Sequence, residues 1–495
     1  MTDPDGPITA FAGPAQAPES GTGLKPEAIG LVQDTVIGMA TSAPAGTVAA
    51  TLAALAAASA YSGGLVLLIT AVPMLVIANA YRRLNVWNAN AGASFEWVGR
   101  SINPYLGFLT GWTMVIGYVI TTVAEVVVLA PSVLAIWGSN STNSWQAIGV
   151  DVGLVVFMLI IAVVGIRVTA GVQVGMALVE YAVLIGLSIA GVVVVLAGHH
   201  TGAMHFSSGW VKLSGVGGQG SLAAGLLISV YIYSGWDASV YVNEETRGRR
   251  VNPGRAVMLA TGVLAVIYIL AQVGLQGVVS PKALQAHAST AMIYAAQAIG
   301  GGVWAKVMAL AIALSVTGAT GTGIVIVARL VYGMSGRGVL PRSLADVSPR
   351  FRTPVLASVI AGVAIIAAIA VDLLYAGSDN IFSDVVGVSG LLFSIFYVMT
   401  GLAMMVYYRS RIFASVIDFF TIGLLPAASI ILLGWVFAKT ITQVPPGEVY
   451  TIYSVIGTGI VVMILMRVLG RPAFFHVQRE KYTEPDSRAV GSAQT

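Results

Sequence analysis

Three acidic side chains stand where the surrounding sequence should hold none. Glu125, Glu180 and Asp237 each lie inside a long apolar run, and no Lys or Arg lies equally deep; Arg167 and Arg329 sit near run ends. A charge at the centre of a bilayer costs at least about 2.5–3.5 kcal/mol, so each acid is a functional candidate. Three of them without basic partners suit a nearby cation. A second kind of chemistry sits beside them. The stretch GMATSAPAGTVAATL, 38–52, is apolar enough for a membrane yet carries Thr41, Ser42, Pro44, Gly46 and Thr47. An interior proline removes a hydrogen bond and clashes with the preceding turn, at about 3 kcal/mol. Lipid cannot satisfy the freed main-chain groups, so broken backbone at membrane depth faces protein or a water-filled cavity. The stretch YIYSGWDASVYVNEE, 231–245, has a comparable interruption at Ser234 and Gly235, beside Asp237. The amino end of a half-helix attracts a carboxylate, and the carboxyl end attracts an ammonium or a metal cation.

The elements that must position these residues are long and apolar. Of the 495 residues 57% are hydrophobic and 9% charged, against about one quarter charged in a soluble globular protein. Twelve apolar runs are predicted as helices, since lipid leaves no other way to pair the backbone. They fall near 29–55, 62–81, 104–136, 147–167, 171–197, 221–243, 255–279, 303–333, 355–374, 385–408, 413–439 and 450–469. Runs 1 and 6 then open two five-helix units, 29–197 and 198–408, followed by helices 11 and 12 over 409–470. The tails 1–28 and 471–495 are soluble, and the first has no apolar core for a cleavable signal. With both tails in the cytoplasm, 21 of the 25 Lys and Arg fall inside, and the outer four are Lys212, Lys282, Lys306 and Lys439. That is a strong positive-inside bias. The segment NVWNANAGASFEWVGRSI reads as an amphipathic piece lying at the inner interface. The stretch 283–300 reads as an outer re-entrant or surface helix.

Interruptions at matching places in two halves are the best sequence pointer to the binding site of a secondary transporter; kinks with no ligand are the plainer alternative. Asp237 fits two roles, receiving a substrate ammonium or capping the second half-helix. Tyr233 and Trp236 flank that break and could stack over a solute, with Tyr118 a similar candidate, or they could simply pack. Glu125 would line an outer vestibule or pair with Lys306. In SVTGATGTG, Ser315, Thr317 and Thr320 could complete a cation site with run 1, or let helices approach closely.

Some signals carry less. GVGGQG, 215–220, follows no strand and reads as a turn. His199, His200 and His205 read as a solvated loop, NST at 140–142 as a sequon meaningful only in a glycosylating cell, and EETRGRRVNPGR as a gating or topology-setting charge run. The lack of cysteine excludes disulfides, thiolate metal sites and a cysteine nucleophile. No deep histidine stands ready for a membrane enzyme, and no Walker sequence for an ATP-driven pump. No cofactor, metal or nucleic-acid partner is expected, beyond the bilayer and a small solute.

SGWDASVYVNEETRGRRVNPGRAV resembles the sixth-helix signature of the amino acid–polyamine–organocation superfamily: a Gly–aromatic–Asp break, a Glu-Glu pair and an Asn-Pro-x-Arg turn. ARLVYGMSGRGVLPRSLADVSPRFRTPVLA is similar to that family's loop after helix 8, and NAGASFEWVGRSINPYLGFLTGW to the start of its third helix. The resemblance spans about 28–470. It implies an all-α, twelve-helix membrane protein with a five-plus-five inverted repeat and two extra helices. It also implies alternating access at a plasma membrane, taking up amino acids or related amines. Many members carry a Gly-Ser-Gly-aliphatic-Phe motif at the first break, where this chain has MATSAPAG. The substrate contacts then fall to Thr41, Ser42 and Ala43, with Pro44 enforcing the unwinding, and to Tyr233, Ser234, Gly235, Trp236 and Asp237. Glu180 resembles the position where some proton-coupled relatives place a lysine. There it would bind H+ or Na+, or stay a neutral acid on a helix carbonyl. A polyamine or amine carrier or exchanger, and a transporter-fold nutrient sensor, are the alternatives.

Overall fold

The computed structural model describes residues 23–136, 144–197, 206–213, 216, 219–375, 381–470 and 472–482. The three loop histidines, the sequon and both far ends lie outside them. Among the described residues the chain is helical, without a strand. Nine stretches there are long and apolar enough to cross a membrane, the first being Leu31–Trp87. Each of the twelve expected runs coincides with helix.

The first run is two half-helices, α1 (Leu31–Thr41) and α2 (Pro44–Ser59). Pro44 takes the first position of α2, where its missing N–H is no loss. Ala43 bridges the halves at φ 41°, a left-handed conformation uncommon for a residue with a Cβ. Next come α3 (Gly63–Trp87), α4 (Ser94–Ser101), α5 (Pro104–Val126), α6 (Leu129–Ile136), α7 (Ser144–Val164) and α8 (Ile166–Ala197). The sixth run breaks too. Helix α9 (Gln219–Ile232) ends at Tyr233, Gly235 adopts φ 103°, and the chain resumes as a 3-10 segment, Trp236–Glu245. Then follow α10 (Asn252–Val278), α11 (Pro281–Ala286), α12 (Ala291–Gly336), α13 (Val355–Tyr375) and α14 (Ile381–Tyr407). Last come α15 (Val416–Asp418), a π turn at Phe419–Leu424, α16 (Leu425–Thr440) and α17 (Pro446–Gly470).

Burial sorts the helices. The most apolar windows of the α5 and α12 stretches are each 78% buried, against 17% for α17. The first two run through the centre, and α17 turns Val461, Leu465, Val468 and Leu469 outward, which places it at the lipid edge. Close approach of α8 and α10 needs glycine. A methyl on Gly274 would lie 2.3 Å from the Ser188 carbonyl oxygen, and one on Gly191 would lie 2.6 Å from that of Gly274. Small residues let membrane helices meet this way.

One expectation is corrected and another is narrowed. Segment 85–102 does not lie on the surface: Phe95, Glu96 and Trp97 of α4 are fully buried, and Phe95 stacks on Phe474 of the C-terminal segment. Within 283–300, Leu284, Ala291, Met292, Ala295 and Ala296 are buried and the piece packs on α2, which speaks against a surface helix and leaves the re-entrant reading. Its helix kinks into the main part of α12 at Gly300 and Gly301.

Candidate functional site

The two breaks meet, backbone to backbone. A methyl added to Gly235 would sit 2.8 Å from both the Ser42 nitrogen and the Thr41 carbonyl carbon, and one on Gly38 would sit 2.8 Å from the Trp236 carbonyl oxygen. Glycine at 235 is required twice over, by its positive φ and by this contact. At the first break the Ser42 carbonyl accepts from the Thr47 hydroxyl at 2.8 Å and from the Tyr268 hydroxyl at 3.1 Å. The side chains of Thr41 and Ser42 turn back and donate to the carbonyls of Ile37 and Gly38. Ala43 and Pro44 are buried beside them.

The amino end of α2 already holds a carboxylate oxygen. The Ala45 N–H donates to Oε1 of Glu180 at 2.9 Å, the Ser315 hydroxyl to the same oxygen at 2.6 Å, and the Gly46 N–H to Ser315 Oγ at 3.1 Å. Glu180 reaches in from α8 and Ser315 from α12, so three elements close on the first break. The first amides of a helix lack intrahelical partners, and acids are favoured at that end. Of the three hydroxyl residues expected around this ion site, Ser315 alone reaches Glu180. The hydroxyls of Thr317 and Thr320 donate to their own helix, to the carbonyls of Ala313 and Val316.

Asp237 takes a different set of partners. Tyr118 of α5 donates to Oδ1 at 2.8 Å, Tyr397 of α14 to Oδ1 at 3.1 Å, and Tyr241 to Oδ2 at 2.7 Å. Its oxygens accept chiefly from phenol hydroxyls, with its own backbone N–H beside them at the start of the 3-10 segment. Trp236 stacks on Tyr397 at 5.3 Å and meets Tyr81 edge-on at 5.1 Å. Its indole N–H has no partner among the described residues. Tyr233 donates to the Leu67 carbonyl and packs edge-on against Tyr268. The Ser234 hydroxyl donates to the Tyr231 carbonyl at 2.6 Å.

Both ends of this centre are closed. On the arginine-rich side, Arg329 makes a two-pronged pair with Glu245 at 2.8 and 3.0 Å, each side chain about 1% exposed. The Glu245 carbonyl accepts from the N–H groups of Ala28 and Ile29, tying the 3-10 segment to the start of α1. On the opposite side, Gln272 donates to Gln276, Gln276 to the Tyr61 carbonyl, and Tyr61 stacks on Trp210. Glu125 is buried near the end of α5 and pairs with no lysine; Lys306 is exposed.

Comparison with known proteins decides the family. The amino acid permease family matches residues 31–466. The chain belongs to the amino acid permease family. It is a multi-pass membrane transporter and not an enzyme. Among curated relatives, an uncharacterized transporter of Mycobacterium tuberculosis is 27% identical over 344 residues, covering 69% of this chain and 73% of that protein. The low-affinity putrescine importer PlaP of Escherichia coli is 26% identical over 317 residues, covering 62% and 66%. The solved structure of MhsT in complex with L-phenylalanine shares the fold at a TM-score of 0.57 and 14% identity, over 83% of this chain and 97% of that one.

In this permease, sequence reasoning missed Tyr241, Tyr268, Tyr397 and the Glu245–Arg329 pairing. Tyr241 had a local signal, four residues after Asp237. Tyr268 and Tyr397 lie on remote helices with nothing in the sequence to join them to either break.

Proposed function

We propose that this permease imports amino acids or related amines across the plasma membrane by alternating access, coupled to H+ or Na+. The reading takes twelve spans with both termini cytoplasmic and a five-plus-five inverted repeat over 29–197 and 198–408. The carrying observation is the contact of the two breaks, Gly235 against Thr41 and Ser42, at the centre of helices closed at both ends. Opening either end alone would expose the breaks to one side. The arginine-rich end would open by parting Glu245 from Arg329, the other by parting Gln276 from the Tyr61 carbonyl.

Two details favour an amine over a zwitterion within that class. The α2 amino end, where a substrate carboxylate would dock, is taken up by Glu180 and Ser315. Asp237 sits among aromatic rings, an environment that suits an ammonium. The putrescine importer among the relatives is consistent with this.

Purified protein in liposomes tests the reading. Labelled amines and amino acids are offered with an inward H+ or Na+ gradient. Accumulation above equilibrium, collapsed by dissipating the gradient, is expected, with amines the better competitors. Binding without accumulation for every solute offered would contradict it. Glu180→Gln keeps an acceptor for Ala45 and loses the charge. It is expected to fold and exchange solute but lose gradient-driven accumulation; accumulation at the wild-type level would remove Glu180 from coupling.

A further inference from the structure

We propose that the arginine-rich face carries a second site, apart from the helix breaks, that binds a phosphate-bearing anion. A cavity of ≈ 830 Å³ opens there between the end of α12, the loop after it, the end of α17 and the C-terminal segment. Three guanidinium groups line it, from Arg100, Arg337 and Arg342. The acids nearby are largely engaged. Glu96 is fully buried and accepts from Arg100 at 2.8 Å and from Arg337, and Glu480 accepts from Arg100 at 2.8 Å. Three positive charges against two negative leave one unmatched. Arg342 is exposed and has no acidic partner among the described residues, and Arg337 spends only its Nε.

A second observation points to a ligand. Ser335 is among the residues lining this cavity; it is about 1% exposed, and its hydroxyl, buried just behind the wall, has no hydrogen-bond partner among the described residues. A serine within a helix ordinarily bonds back to the preceding turn; this one does not. A buried polar group left unpaired costs about 1–3 kcal/mol, and a ligand oxygen at that hydroxyl would remove the penalty. Planar guanidinium forks match phosphate oxygens two at a time. The remaining wall is apolar, with Met466 and Phe474, and the adjoining face of α17 exposes Leu465 and Leu469. The shared chemistry is a phosphate mono- or diester anion. Its source is an anionic phospholipid whose acyl chains lie along α17, or a soluble phosphate compound.

Thermal unfolding of the full-length protein in detergent tests this, with phosphatidylglycerol, phosphatidylcholine or inorganic phosphate added. A ligand of the folded state raises the midpoint by mass action. Phosphatidylglycerol or phosphate is expected to raise it by a few degrees, and phosphatidylcholine not to. Arg342→Gln and Ser335→Ala are each expected to weaken that response about tenfold in concentration, which is about 1.4 kcal/mol. Arg342 is exposed, so its variant should fold as the parent does. Competition by inorganic phosphate assigns a soluble source; its absence assigns the lipid. No rise with either anion, or an equal rise in the parent and both variants, overturns the proposal. The result is independent of which solute is carried, so a failed uptake assay and a failed anion site are separate outcomes.

Discussion

The two breaks hold their carboxylates in opposite ways. Glu180 comes from a different helix and accepts from the first break's own backbone, the Ala45 N–H, with Ser315 alongside. Asp237 belongs to the second break's own segment and accepts from side chains of α5, α14 and the 3-10 segment. The first arrangement has one acid serving the Ala45 N–H directly and the Gly46 N–H through the Ser315 hydroxyl. The second spreads one acid over three phenol hydroxyls, two on Oδ1 and one on Oδ2. The first break should therefore depend sharply on a single residue, and the second should tolerate loss of any one partner.

The largest expected effect is at Glu180→Leu. Removing the acceptor leaves the Ala45 N–H and the Ser315 hydroxyl buried and unpaired, at about 1–3 kcal/mol each. Unfolding of the purified variant should shift down accordingly, and uptake should fall to background. Gly235→Ala comes next. A methyl meeting backbone at 2.8 Å, on a residue at φ 103°, should cost about 1–3 kcal/mol and abolish uptake by pushing the breaks apart. Tyr241→Phe, Tyr118→Phe and Tyr397→Phe should be milder. Each removes one of three hydrogen bonds to a carboxylate that keeps its other two donors, about 0.5–1.5 kcal/mol. The two hydroxyls left in each case should preserve measurable uptake, and a double Phe variant should lose more than the two singles added together. Thr317→Ala should be smallest, within about 0.5 kcal/mol, because that hydroxyl serves only its own helix. An uptake loss at Thr317 matching that at Glu180 would restore it to the ion site.

Much of this contrast could be read in the sequence, and the missing parts have physical causes. Pro44 and Gly235 announced the breaks, since each residue type has a backbone consequence that lipid makes visible. Glu180, Asp237 and Tyr118 stood out because acids and phenols in apolar runs demand partners. Which partners they find is a matter of helix packing. Nothing local joins Tyr397 to Asp237 across 160 residues, or Ser315 to Glu180 across 135. The two readings of Thr317 could not be separated in the sequence, because a hydroxyl on a helix bonds back to its own turn unless its face points at the site, and the run SVTGATGTG hides which face does. The burial of α4 was missed because its amphipathic pattern is the same whether its apolar side meets lipid or, as here, α5 and Phe474.

Single cysteines offer the most direct test that the two breaks jointly hold one solute, because the chain has none of its own. Ser42→Cys and Ser234→Cys would each be treated with a small membrane-permeant thiol reagent, with and without a transported solute. Protection of both positions by the same solute, at the same half-protecting concentration, is the expected result. Protection of one without the other, or of neither by a solute that is demonstrably carried, would contradict a shared site at the paired breaks.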